Sequence, residues 1–155
     1  MDNHNKINIL YVDDEINNLN SFNAAFRRDY NIFIASSGKE GLEILHSNKI
    51  HIIITDQRMP EMTGVDFLAE VLKEFPDPVR LLLTGYADMA AVVDAVNIGK
   101  IYYYLTKPWD EQGLKIVIKN AFELFETREK LLILTEQLKV ANEQLEFMAR
   151  QNLLS

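Results

Sequence analysis

Acidic residues crowd the end of an apolar stretch near the N-terminus. The segment ILYVDDEINN, residues 9–18, runs from four apolar or aromatic residues directly into Asp13, Asp14 and Glu15. Carboxylates held this close repel one another unless a cation lies between them or they share a proton. A bound cation would therefore allow the chain to tolerate this cluster.

Polar residues also follow three other apolar segments. Asp56 comes after HIIIT, Thr84 comes after VRLLL, and Lys107 comes shortly after IYYYL. If the segments are parallel strands of one sheet, their carboxyl ends meet at one edge, where open α/β sheets bind ligands. We therefore expect three carboxylates, those of Asp13, Asp14 and Asp56, to converge there with one hydroxyl and one amine.

These residue types indicate two kinds of chemistry. Hard oxygen ligands without His or Cys suit Mg²⁺, which takes one or two carboxylates and keeps water or phosphate oxygens for its other positions. A carboxylate can also act as a nucleophile and form an aspartyl phosphate, while a metal and an amine neutralise the transferred group. Asp56 is the best candidate nucleophile, because it stands alone at its strand end and leaves Asp13 and Asp14 for the metal.

Each residue also has a simpler structural explanation. Asp14 would serve as the N-cap of the following helix, and Asp56 would begin a turn. Thr84 would precede a turn, and Lys107 would be a solvated surface charge. Their joint occurrence at strand ends favours one shared site.

The elements that must position these residues are strands alternating with helices. INILYV, NIFIA, HIIIT, VRLLL and IYYYL are nearly continuous apolar runs, typical of strands buried in a parallel sheet. Between them, apolar residues recur at helical spacing, as at Leu19, Phe22 and Phe26. The pattern predicts a (βα)₅ order and an α/β fold with a parallel sheet covered on both faces; the helix at 90–98 has the weakest pattern.

A different pattern begins after Trp109. From Leu114 onward the chain has no Gly or Pro, and it predicts one long helix with a heptad seam. We expect the helix to project from the domain and pair with another, as a parallel homodimer through residues 124–150; the alternative is a stripe that folds back on its own domain. The seam consists of Leu124, Thr127, Leu131, Leu134, Leu138, Ala141, Leu145 and Met148.

Composition excludes several other functions. The 155 residues suffice for one domain, and the absence of Cys excludes disulfides and thiolate metal sites. The net charge of −7 argues against direct nucleic-acid binding, which needs clustered Lys and Arg. No apolar run approaches the roughly 20 residues that span a membrane, so we expect a cytoplasmic protein.

Four stretches together resemble the signatures of response-regulator receiver domains of two-component signalling. They are VDDE at 12–15, TDQRMPEMTG at 55–64, LLLTGYAD at 81–88 and YLTKPW at 104–109. The resemblance covers about residues 6–125. It implies a doubly wound, flavodoxin-like sheet of strand order 2-1-3-4-5 in a receiver domain at 1–125. The heptads are not part of the receiver pattern, and from them we expect residues 126–155 to continue the last helix as a coiled-coil linker.

The resemblance also implies a role for each signature residue in the site. Asp56 would be the phosphoacceptor, and Asp13 and Asp14 would hold Mg²⁺ together with Asp56 and the backbone carbonyl of Arg58. The phosphoryl group would come from a cognate sensor histidine kinase or a phosphotransfer protein.

Further implied roles concern the response to phosphorylation. Thr84 would be the switching hydroxyl, Tyr104 the switching aromatic and Lys107 the phosphate partner, with a cis peptide bond between Lys107 and Pro108. Arg58 and Tyr86 are bulky at positions that flank the site, departures that affect the lifetime of the phosphoryl group more than its formation.

The function these residues favour is a phosphorylation-controlled switch that acts on no separate substrate. One alternative is a dimeric scaffold that no longer accepts phosphate. Another is an aspartate-nucleophile phosphohydrolase, whose first strand would end in DxDx[TV]; here it ends in Asp13-Asp14-Glu15-Ile16. Sustained turnover of a phosphate ester would favour the hydrolase, and a stoichiometric phosphoryl group would favour the switch.

Overall fold

Five strands alternate with five helices along the described part of the chain. The computed structural model describes residues 6–85, 89–98 and 101–154. The strands are β1 (Asn8–Val12), β2 (Asn31–Ala35), β3 (Ile52–Asp56), β4 (Val79–Thr84) and β5 (Tyr103–Thr106), and the helices are α1 (Ile16–Phe26), α2 (Gly38–Ser47), α3 (Gly64–Glu74), α4 (Met89–Asn97) and α5 (Glu111–Leu154).

The strands form one parallel sheet of order β2-β1-β3-β4-β5. The predicted fold class and strand order are therefore confirmed. β1 and β3 lie side by side, with Val12 paired to Thr55, and β3 pairs with β4 so that Asp56 lies opposite Leu83. This register brings the carboxyl ends of the three central strands to one edge of the sheet.

Each face of the sheet is covered by its own apolar core. In β1, Ile9 and Tyr11 pack in the core that includes α1 and α5, whereas Leu10 and Val12 pack in the core on the opposite face. This alternation follows from the two-residue period of a strand. Asp13 follows β1 at the position that continues the Tyr11 side, so the first acid of the site emerges on the α1 and α5 side.

Helix α5 is much longer than the domain needs. Its 44 residues correspond to about 66 Å at 1.5 Å per residue. Leu114, Ile118, Ala121 and Phe125 are buried in the first core, whereas residues 130–153 are all exposed. The helix thus leaves its own domain and does not fold back on it.

Toward its C-terminus, the last described ion pair between α5 and the rest of the domain is the one that Glu129 forms with Lys49. Lys49, in the connection between α2 and β3, places its Nζ 3.5 Å from Glu129 Oε1 and 5.8 Å from the centre of the Phe125 ring. Leu124 packs partly against the first core, so the exposed part of the heptad seam begins at Thr127 and its exposed leucines begin at Leu131. None of the helices in the described ranges combines the length and apolar character that a membrane span requires.

Candidate functional site

Three carboxylates converge where β1 and β3 end. One oxygen from each of Asp13, Asp14 and Asp56 lies within 4.8 Å of the other two. Asp13 and Asp56 are buried, whereas Asp14 is exposed. The structure thus brings together the three acids that the sequence predicted to meet.

Asp13 is held in place by donors on both of its oxygens. Its Oδ2 accepts hydrogen bonds from the Tyr11 hydroxyl at 2.9 Å and from Asn18 Nδ2 at 3.1 Å, and its Oδ1 accepts one from the Glu15 backbone N–H at 3.0 Å. Burial and the neighbouring Asp13 carboxylate raise the pKa of Tyr11 far above its ordinary value. The Tyr11 hydroxyl therefore stays protonated and available as a donor.

Sequence reasoning missed Tyr11 and Asn18 as supports of the site. The strand period offered one signal, because Tyr11 lies two residues before Asp13 and so points to the same side. Nothing comparable identified Asn18, which reaches Asp13 only because α1 begins at Ile16.

Asp56 forms an ion pair with Lys107 across the site. Lys107 Nζ contacts Asp56 Oδ1, and the Lys107 backbone N–H donates to the Thr84 carbonyl at 3.0 Å. Burial raises the pKa of Asp56 above its ordinary value, and Lys107 offsets only part of that rise. The peptide bond between Lys107 and Pro108 is cis, as the resemblance implies.

The loop that follows β3 is closed tightly against the strand end. The Gln57 side-chain Oε1 accepts a hydrogen bond from the Val65 N–H, and the Gln57 carbonyl accepts one from the Gly64 N–H, both at 2.9 Å. A Cβ atom at Gly64 would lie 2.3 Å from the Asp56 carbonyl oxygen, so only glycine allows α3 to begin this close. Arg58, within the loop, has an exposed side chain, and the role of its carbonyl stays a prediction.

Thr84 and Tyr104 lie at the ends of the neighbouring strands. Thr84 is buried, and its hydroxyl donates to the Gly85 carbonyl at 3.0 Å. Tyr104 is half-buried, packs against the second core and stacks on Tyr103 at 5.8 Å between ring centres. Tyr86, the bulky flanking residue, lies outside the described residues.

An open cleft of about 440 Å³ adjoins the acidic cluster. It is lined by Tyr11, Asn18, Lys107, Pro108 and Trp109. Three of these side chains bond carboxylates of the cluster: Tyr11 and Asn18 bond Asp13, and Lys107 bonds Asp56. A phosphorylated group entering this cleft would thus meet a cation and an amide beside the carboxylates.

The donor set fits a small hard cation. It offers carboxylate oxygens alone, one of them on an exposed side chain, which suits the partial hydration that Mg²⁺ retains in proteins. Asp13, Asp14 and Asp56 are the residues that would hold it.

Comparisons with known proteins agree with this geometry. A family model described as the response regulator receiver domain matches residues 9–119. The hydrogenase transcriptional regulatory protein HoxA of Bradyrhizobium diazoefficiens is 34% identical over 117 residues, which are 76% of this chain and 24% of that protein. The transcriptional regulatory protein GlrR of Escherichia coli is 33% identical over 121 residues, covering 77% of this chain and 27% of GlrR.

A solved structure gives the same result for the fold. The crystal structure of a response regulator receiver domain protein from Clostridium thermocellum is 36% identical, with a TM-score of 0.73, and the match covers 81% of this chain and 98% of that one. The chain spans only about a quarter of the length of the two regulatory proteins.

Proposed function

The chain belongs to the response regulator receiver domain family, and we propose that it is a phosphorylation-controlled switch in which Asp56 accepts the phosphoryl group. The observation that carries this proposal is the convergence of Asp13, Asp14 and Asp56 with Lys107 at one edge of the sheet. Among these three carboxylates, that of Asp56 is the one that is buried and forms an ion pair with a lysine.

Phosphoryl transfer to Asp56 is a displacement at phosphorus. An oxygen of the Asp56 carboxylate forms a bond to phosphorus while the bond from phosphorus to the donor's histidine nitrogen breaks, and that nitrogen keeps the electron pair. The donor would be a cognate sensor histidine kinase or a phosphotransfer protein. Lys107 already contacts Asp56, so its ammonium is placed to compensate the added negative charge.

The other two acids of the cluster, Asp13 and Asp14, would help to bind the metal. Asp13, Asp14 and Asp56, with the backbone carbonyl of Arg58, would hold Mg²⁺, which when bound neutralises charge on the phosphoryl oxygens. Tyr11 and Asn18 orient Asp13 toward this task, because they occupy the same Asp13 oxygen and limit rotation of the carboxylate.

Thr84 and Tyr104 would carry the response inside the domain. The buried Thr84 hydroxyl donates to a neighbouring carbonyl, and a dianionic phosphoryl group is a stronger acceptor. Thr84 would turn toward that group, and the half-buried Tyr104 would move inward into the space it leaves.

The signal would leave through α5. We assign residues 1–125 to the receiver and residues 126–155 to a coiled-coil linker that joins two chains in parallel through residues 124–150. The exposed leucines from Leu131 onward support this assignment, because apolar rows of this length are seldom left in water. Phosphorylation would then shift or rotate the paired helices and so act on an output domain or partner.

The test of the proposed function is the site of modification. The protein is treated with a small phosphodonor, acetyl phosphate, and Mg²⁺, and the intact mass is measured. We expect one phosphoryl group per chain in the wild type and in the control Asp94→Asn, whose carboxylate is exposed on α4, and none in Asp56→Asn. An adduct that persists in Asp56→Asn, or turnover of the donor without an adduct, would refute the proposal.

A further inference from the structure

The C-terminal part of α5 carries a second row of side chains beside the heptad seam. Ile133, Val140 and Phe147 are 58%, 42% and 60% exposed and lie seven residues apart. Gln137 and Gln144 fall between them, so the spacing alternates four and three, as in a second heptad seam. We call these five residues the second stripe.

The second stripe faces a different direction from the seam. At 3.5 residues per turn each residue advances by about 103°, which separates the middle of the second stripe from the middle of the seam by roughly 100°. A two-stranded coil buries the seam and leaves this direction open. In a parallel dimer the two-fold axis would place one second stripe on each side of the stem, which consists of residues 130–154 of the two α5 helices.

Shallow apolar grooves run along the second stripe. One of about 420 Å³ lies between Ile133 and Val140 and is also lined by the seam residue Ala141, and one of about 400 Å³ lies between Val140 and Phe147 and is also lined by the seam residue Met148. Side chains of the size of leucine would fit these depressions, as they do between the residues of a helix in a coiled coil.

A row of acids borders the second stripe on the side away from the seam. Glu129, Glu136 and Glu143 recur every seven residues, and Glu136 and Glu143 line the two grooves. On the other side the bordering residues are the seam residues Leu134, Ala141 and Met148, which carry no charge. The second stripe is therefore a partly apolar strip whose edge is negative at Glu136 and Glu143, before Arg150 takes the next position of the row.

This charge pattern selects the kind of helix that fits. A second copy packed antiparallel on the same stripe would place Glu136 near Glu143 of its partner, and such like charges repel. A parallel copy packed on the same stripe would set these acids against seam residues of the other chain, which the dimer already buries. A foreign helix with Lys or Arg along one edge meets neither obstacle.

We propose that the second stripe binds an amphipathic helix of a partner protein, whose apolar face carries Lys or Arg along the edge that meets Glu136 and Glu143. This inference rests on the proposed dimeric stem and adds to it the surface through which the stem meets another protein. A dimer would bind two such helices, one on each side.

The probe is a synthetic helical peptide of about four heptads, with leucine at the seam positions and lysine at the flanking positions. A matched peptide has glutamate in place of every lysine. Sedimentation of the full-length chain comes first and establishes whether it is a dimer. Fluorescence anisotropy then measures binding of each labelled peptide, and sedimentation of the complex gives the stoichiometry.

We expect two lysine peptides per dimer, and at least about tenfold weaker binding of the glutamate peptide. Raising the salt concentration should weaken binding of the lysine peptide. The variant Glu136→Lys/Glu143→Lys should reverse the preference between the peptides. The variant Ile133→Gln/Val140→Gln/Phe147→Gln should stay dimeric and lose at least about tenfold in affinity for the lysine peptide.

Each contrary result has a separate meaning. A dimer that binds neither peptide, or both equally, overturns this inference and leaves the dimeric stem intact. A tetramer of the chain alone shows that further copies cover the second stripe, which also overturns it. A monomeric chain overturns the dimeric stem and this inference together.

Discussion

The strand-end site and the projecting helix depart from an ordinary globular surface in opposite ways. The site gathers charge where it is sheltered from water: Asp13 and Asp56 are buried beside each other. The stem, residues 130–154 of α5, exposes apolar side chains, and Leu131, Leu138 and Leu145 are each more than 60% exposed. The site thus favours an added cation, and the stem favours an added helix.

The two regions also differ in how the chain builds them. The site draws residues from β1, β3, β4 and β5, so its geometry depends on the whole sheet. The stem is one continuous helix whose pattern is local. Damage to the domain should therefore disturb the site, whereas damage to the stem should leave the site working.

The largest expected effect is the loss of the dimer. Leu138→Glu places two like charges in the seam and should make the chain monomeric at tens of micromolar, which requires Kd to rise at least about 100-fold, a loss of at least about 3 kcal/mol. Leu132→Glu is the control, because Leu132 is equally exposed but lies off the seam and the second stripe. Sedimentation measures the oligomeric state of both variants. A chain without residues 128–155 should also be a monomer and should still accept phosphate. A wild-type chain that sediments as a monomer would show that the exposed seam does not pair with another helix, and would contradict this contrast between the two regions.

The next effect comes from equal truncations in the two regions. Ile54→Ala removes a fully buried side chain from β3 and should lower the free energy of unfolding by about 2–5 kcal/mol. Leu138→Ala, at 63% exposure, should change it by less than about 0.5 kcal/mol at concentrations where the chain is monomeric.

Urea titration followed by the fluorescence of Trp109 measures both truncations. Trp109 is the only tryptophan and packs against Phe22 and Phe26, so it reports on the domain core. An equal loss in both variants would mean that the stem packs on its own domain in solution.

Much of this contrast could be predicted from the sequence. Apolar runs identified all five strands, and the four signature stretches identified the strand order and the acids, since they match one family in order and spacing. The hydrogen bonds that hold the side chains of the site in place could not be predicted in the same way. The bonds of Asn18 to Asp13 and of Val65 to Gln57 depend on where α1 and α3 begin against the strand ends.

The sequence also does not show how much of the heptad seam is exposed and how much packs on the domain. The heptad pattern includes Leu124, yet that side chain packs partly against the receiver's own core. The same apolar residue satisfies both a heptad and a domain-packing helix, and only the position of α5 against the sheet decides between them.

The site should gain stability from Mg²⁺ because the cation offsets the repulsion among its acids. At a free Mg²⁺ concentration of about 100 times Kd the free energy of unfolding should rise by about 2.7 kcal/mol. Thermal unfolding with and without Mg²⁺ measures the gain, and Asp14→Ala should abolish it. Glu43→Ala removes an exposed acid on α2 and should leave it unchanged. A full gain in Asp14→Ala would show that the cation binds elsewhere.

The smallest expected effect is a pH dependence of the free energy of unfolding. It arises at the opposite end of the sheet, where the domain contacts the part of α5 that precedes the stem. His51 accepts a hydrogen bond from the Asn8 N–H at its Nδ1, and its ring meets the edges of Phe122 and Phe125 on α5. Burial lowers the pKa of His51, and nearby Lys49 lowers it further, while Glu126 and Glu129 partly oppose this.

Because the pKa of His51 is lower in the folded chain, the unfolded chain binds the proton first as the pH falls below about 6.5. The free energy of unfolding should therefore decrease from pH 7 toward pH 5, by at most about 1.4 kcal/mol per pH unit from this one group. Urea titrations at several pH values should give a smaller decrease in His51→Asn, which cannot take up the proton. His46→Asn, which removes an exposed histidine on α2, is the control and should keep the wild-type contribution of His51. An unchanged slope in His51→Asn would mean that the contact of the domain with Phe122 and Phe125 does not depend on a neutral His51, and that other titrating groups set the pH dependence.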